Sequence, residues 1–137
     1  MNRAFLAIDY GRKRVGLAKS DPMGVIASAL ETLEVKSIGD AVAKVSAVIG
    51  EVEPDALVVG YPLLPSGDKS EMCVEVDRFV EKLKANYAGP IHLVDEIYSS
   101  DEAKEIVKAH GSRVGKDKKR IDRLAAVMIL QRYLDEL

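Results

Sequence analysis

Three acidic positions in this 137-residue chain stand where carboxylates are unusual. Asp9 lies near the end of the apolar run 4–10, AFLAIDY. Asp95 and Glu96 close a second apolar run, 91–94. Asp122 follows a basic loop near the start of a helical pattern. A carboxylate at the end of a buried strand must be paired, hydrogen-bonded or bound to a metal. Alternation along a strand sends Asp95 and Glu96 to opposite faces, so one of them shares a face with Asp9. Two strand ends and a helix start can converge at the carboxyl edge of a sheet, where open α/β sheets bind ligands. Carboxylates brought together raise one another's pKa. Mg²⁺ or Mn²⁺, hard cations that take oxygen ligands, relieve that repulsion. Two such ions about 3.5–4 Å apart activate a water and stabilise the leaving oxygen of a phosphodiester. The plainer alternatives are a turn cap at Asp9, a water-facing pair at Asp95-Glu96 and a dipole-favoured acid at Asp122.

Basic residues flank these positions. Residues 112–123 carry Arg113, Lys116, Lys118, Lys119, Arg120 and Arg123 against Asp117 and Asp122. Arg12, Lys13 and Arg14 form a second cluster in an expected turn. These are either two solvated charge runs or a split footprint for phosphates.

The elements that must position these groups follow from periodicity. Residues 4–10 and 14–21 read as a strand hairpin, and 28–35 as a third strand. Ile38, Val42, Val45 and Ile49 have helical spacing over 38–52. The run 56–62, ALVVGYP, reads as a buried strand. Val76, Phe79, Val80 and Leu83 predict a helix over 74–87, and 91–96 a further strand. A helix capped at Ser99 or Ser100 runs to about His110, and an amphipathic helix covers 121–137. The order β-β-β-α-β-α-β-α-α predicts an α/β fold. Its mixed five-stranded sheet joins an antiparallel meander to parallel strands, with helices on both faces.

Composition narrows the function classes. The chain is 47% hydrophobic and 31% charged with a net charge of −2. This is a folded profile for one domain over 1–137, not a disordered chain. No apolar run suits a membrane span, and no signal peptide is read at the start. The lone Cys73 excludes an internal disulfide and a cysteine metal cluster, so a cytoplasmic location is expected. With no Trp and two Phe, broad aromatic stacking on single-stranded bases is not the expected binding mode. His92 reads as a strand-face histidine and His110 as a helix-end residue rather than as catalytic bases.

Four ordered blocks carry a resemblance. IDYGRKRVGLAKSD (8–21), LVVGYP (57–62), LVDEIYSSDEA (93–103) and KRIDRLAAVMILQRYLDE (119–136) resemble the YqgF/RuvX family over nearly the whole chain. The resemblance implies an RNase H-like fold and an endonuclease using Mg²⁺ or Mn²⁺, with two ions expected. It implies Asp9, Glu96 and Asp122 as the catalytic, metal-holding carboxylates, with Asp95, Gly11 and Ser99 in support. Arg12, Arg14, Lys116, Lys118, Lys119 and Arg120 are then the expected phosphate contacts. Processing of the 5′ end of precursor 16S rRNA is the expected activity. The alternatives are a Holliday junction resolvase and a non-catalytic nucleic-acid-binding regulatory module. The chain acts as a monomer or homodimer. It departs from the family pattern at Ile97, where an Arg is usual, and in the loop after Pro62. IDYGRKRVG is also similar to the first phosphate loop of the actin and sugar-kinase fold, but that fold clamps a nucleotide between two such domains.

Overall fold

The computed structural model describes residues 3–96 and 118–137, and the side chains of 118–122 fall outside that description. The strands are β1 (Phe5–Asp9), β2 (Arg14–Ser20), β3 (Ala27–Ala29), β4 (Leu33–Glu34), β5 (Ala56–Tyr61) and β6 (Ile91–Asp95). The helices among the described residues are α1 (Ile38–Val52), α2 (Glu71–Leu83) and α3 (Lys118–Asp135). The sheet order is β3-β2-β1-β5-β6, with β4 also paired to β2. The β1–β2, β2–β3 and β2–β4 pairs are antiparallel, and β1–β5 and β5–β6 are parallel. The expected meander and parallel crossovers are both present.

The third expected strand is in two pieces. Ala29 pairs with Ala18, but Leu33 pairs with Val15. Three residues, Leu30, Glu31 and Thr32, therefore oppose two on β2, a one-residue bulge. Leu30 N–H still donates to the Leu17 carbonyl at 2.9 Å. The bulge lets Leu30 and Leu33 pack on the same cluster although they are three positions apart.

Helix α1 begins and ends by local chemistry. Ser37 Oγ accepts from Asp40 N–H at 3.0 Å, and Asp40 Oδ2 accepts from Lys36 N–H at 2.9 Å. Glu53 takes a left-handed conformation at the C-cap, and Pro54 follows. Helix α2 starts three residues earlier than its apolar periodicity suggests and stops at Leu83, not Tyr87. Its buried stripe begins at Cys73, whose thiol donates to the Pro62 carbonyl at 3.5 Å. Tyr87 instead anchors the following turn, donating to the Pro54 carbonyl at 3.0 Å. Among the described residues helix α3 reaches back to Lys118, ahead of the expected Ile121. The helix expected from Ser99 or Ser100 to His110 lies outside the described residues.

Strand alternation divides the core between two faces. Leu6, Ile8, Leu17, Leu57 and Val59 meet Val45, Ile49, Phe79 and Leu83 on the α1/α2 face. Phe5, Ala7, Ala18, Ala56 and Val58 meet Ala126, Ile129, Leu130 and Leu134 of α3 on the other. The small residues on this second face admit the helix close to the sheet. Tyr133 seals its far end, edge-on to Phe5 at 5.5 Å and stacked on His92 at 5.6 Å between ring centroids. His92 is thus a strand-face residue. Gln131 clamps the β2–β3 hairpin, accepting from Ala27 N–H at 3.0 Å and donating to the Val25 carbonyl at 2.9 Å. Among the described residues no helix is long and apolar enough to cross a membrane.

Candidate active site

The three parallel strands β1, β5 and β6 finish at one edge of the sheet. Ile8 lies opposite Val59, which brings Asp9 level with Gly60, and Gly60 lies opposite Val94. Asp9 has the strand parity of Phe5 and Ala7, and Gly60 that of Ala56 and Val58, so both are on the α3 face. Val94 packs on this face as well, and Glu96, two residues on, shares its parity. Asp95 falls on the opposite parity and is exposed. Of the adjacent acids it is Glu96 that joins Asp9.

The backbone carries Glu96 one step past the strand, where its N–H donates to the Tyr61 carbonyl at 3.2 Å. Its carboxyl group then leans back over β5. A methyl group placed on Gly60 would stand 2.8 Å from Glu96 Oε2 and 2.9 Å from Glu96 Cδ. The same methyl would stand 2.8 Å from Ile129 Cδ1. Glu96 is hydrogen-bonded to Asp9 across this glycine. Burial, followed by the charge and hydrogen bond of Asp9, pushes the Glu96 carboxyl up to about 10. Without a cation, the pair therefore holds a proton at neutral pH.

Helix α3 runs back along the sheet, antiparallel to these strands. Tyr133 packs near the strand starts and Ile129 near their ends. Asp122 lies two helical turns N-terminal to Ile129 and one before Ala126, both buried on the sheet. The backbone thus carries Asp122 toward the edge that holds Asp9 and Glu96, while its side chain is outside the described residues. Among the described residues no three metal-ligating side chains gather.

The basic and supporting positions divide similarly. Arg12 is engaged by Glu75 of α2, with Nε and Nη2 at 2.6 and 2.5 Å from the same carboxylate oxygen. Arg14 lies opposite Glu34 in the sheet. Lys118, Lys119 and Arg120 open α3, and Lys116 and Ser99 lie outside the described residues. Gly11 makes the β1–β2 turn possible, because a Cβ there would meet the Arg14 carbonyl oxygen at 2.5 Å. The loop after Pro62 closes on itself, with Leu64 N–H donating to the Asp68 carbonyl and a bridge between Leu63 and Lys69. Beside it, Tyr61 donates to Asp77 at 3.1 Å and Lys69 sits over the Tyr61 ring. Gly60 is the contact that periodicity does not single out, whereas Ile129 belongs to the helical apolar stripe of the last helix and here also closes on Gly60. A lone glycine inside the buried run LVVGYP is the signal that marks Gly60.

A mixed sheet of this order, with an acid pair at its carboxyl edge and a helix returning over it, defines the RNase H-like class. RuvC of Thermus thermophilus, solved with a Holliday junction substrate, superposes with a TM-score of 0.61 at 17% identity, over 98% of this chain and 94% of that one. The fowlpox virus Holliday junction resolvase gives 0.58 at 13% identity, over 98% and 99%. Residues 3–136 match the family described as "RuvX: Holliday junction resolvase", and the chain belongs to that family. A Synechococcus elongatus protein named "Putative pre-16S rRNA nuclease" is 38% identical over 97% of this chain and 89% of its own length. A Lawsonia intracellularis protein of the same name is 39% identical over 96% and 93%.

Proposed function

We propose that the chain is a metal-dependent endonuclease that trims the 5′ end of precursor 16S rRNA in the cytoplasm, as a single RNase H-like domain. The observation that carries this reading is the Asp9–Glu96 pair, two carboxyl groups hydrogen-bonded at the ligand-binding edge of the sheet. The names of the curated relatives favour RNA as the substrate.

The donor set fits a hard divalent cation. It is all oxygen, and burial of Glu96 against Asp9 disfavours a second negative charge there, which a cation would relieve. Asp9 and Glu96 would hold Mg²⁺ or Mn²⁺, with Asp122 completing the set. Such ions lower the pKa of a bound water and stabilise charge on the leaving oxygen. The chain's own part is positional. Asp9 at the end of β1 and Glu96 just past β6 set the place where the cation, and through it the scissile phosphate, would be held. Gly60 keeps the space between them clear, and Ile129 covers that space from the helix side. Arg14, Lys116, Lys118, Lys119 and Arg120 would draw in the flanking phosphates. Arg12 joins them only by leaving Glu75.

The family description favours a second reading, resolution of a four-way DNA junction. That activity needs two sites facing two strands, hence a symmetric dimer. Purified protein and its Asp9→Asn variant, incubated with Mn²⁺ and either a precursor 16S rRNA fragment or a four-way junction, separate the readings. Asp9-dependent cleavage of the RNA alone is expected. Paired, symmetric nicking of the junction supports the resolvase. Binding of both without cleavage overturns the nuclease and leaves a non-catalytic binding module.

A further inference from the structure

Asp9 and Glu96 come from strands that are not neighbours. β5 lies between β1 and β6. Adjacent strands are about 4.8 Å apart, so the two backbones are separated by about 10 Å. Side chains that far apart normally meet the side chain of the strand between them. Here the intervening position on the same face and level is Gly60. Glu96 fills the space a side chain would occupy, and its carboxyl group reaches Asp9 across it.

We infer that Gly60 is a positioning residue that lets two carboxylates from non-adjacent strands bind one divalent cation. This deepens the nuclease reading and rests on it. The residue touches neither metal nor substrate in this role. It acts by absence, and it acts twice. The first effect is on Glu96, whose Oε2 and Cδ would both be too close to a methyl group. The second is on α3, whose Ile129 Cδ1 closes on the same spot. Ile129 lies two turns from Asp122, so the height of the helix above β5 also sets where the backbone of Asp122 stands. Moving Ile129 aside would relieve only the second conflict. The first involves a carboxyl group already held by Asp9, and turning it away breaks the pair.

The test compares Gly60→Ala with Gly60→Ala/Ile129→Val, Glu96→Gln and the unaltered chain. Mn²⁺ affinity is measured by calorimetry without nucleic acid, and folding by circular dichroism. Gly60→Ala is expected to weaken Mn²⁺ about tenfold or more, within the range seen for changes that misplace metal ligands. The double variant lacks the Cδ1 that the alanine methyl would meet, so it stays folded if the single variant does not. It is expected to remain weakened, because the Glu96 conflict persists. RNA affinity in EDTA should be unchanged in both, and in Mn²⁺ kcat should fall with little change in KM. Wild-type Mn²⁺ affinity in Gly60→Ala, alongside a loss in Glu96→Gln, overturns the role of Gly60 and leaves the site standing. Recovery in the double variant also overturns it, by assigning the effect to helix packing. Unchanged Mn²⁺ affinity in Glu96→Gln overturns the site reading and the inference together.

Discussion

At the residue scale the two carboxyl groups set the behaviour of the apo protein. Glu96 has a folded pKa raised well above its ordinary value, to about 10, by burial and by Asp9. A raised acid contributes stability while protonated, and that contribution is lost as pH climbs through the folded value. In EDTA the loss should start above the ordinary carboxylate range and continue to about pH 10. Glu96→Gln mimics the protonated acid, so its melting temperature in EDTA should exceed that of the unaltered chain at pH 8 and approach it at pH 5. Mn²⁺ should reverse the order at pH 8, because only the charged pair gains from the ion. Equal melting curves at pH 8 in EDTA would contradict the pairing. Asp9 and the Asp95-Glu96 doublet were legible in the sequence because acids ending apolar runs are rare. Alternation allowed one acid of the doublet beside Asp9 without saying which. Its identity depends on the parallel register of β6 on β5, which no local pattern encodes. The reach across Gly60 depends on the order β1-β5-β6 and was equally invisible.

At the element scale, legibility followed how local the instructions are. Helix α1 is legible to the residue from its apolar stripe and the Pro54 that follows it, and the structure adds the Ser37–Asp40 cap that fixes its start. The segment 28–35 was readable only as one loosely alternating strand. Its bulge arises because β2 must serve two partners in registers one residue apart. The start of α2 lies three residues before Val74 because its buried stripe begins at Cys73, one helical step ahead of Val76. Two consequences can be measured by denaturation. Ser37→Ala removes the acceptor for Asp40 N–H and should cost about 1 kcal/mol while leaving Mn²⁺ affinity unchanged. Gln131→Ala releases both bonds to the hairpin and should cost roughly 1–2 kcal/mol. It should also increase exchange of the Ala27 amide, which Ser37→Ala should not.

At the scale of the whole molecule, a chain with a net charge of −2 must bind a polyanion by local concentration of positive charge. The helix that carries Asp122 opens with Lys118, Lys119 and Arg120, at the end directed toward the acid pair. In the proposed nuclease the backbone of this basic stretch is carried toward the acid pair, and the acids would need the cation to avoid repelling the substrate. Binding by about five phosphate contacts should weaken by roughly a few hundredfold between 50 and 200 mM salt. Replacing Lys118 and Lys119 together by Ala should flatten that dependence by about two charges. Arg12→Ala should change it less, because Glu75 already neutralises the guanidinium. An equal flattening in Arg12→Ala would mean that Arg12 leaves Glu75 on binding, and would extend the footprint to the β1–β2 turn. A salt dependence unaffected by the Lys118/Lys119 pair would move the footprint away from the start of α3, and with it the path of the nucleic acid past Asp9.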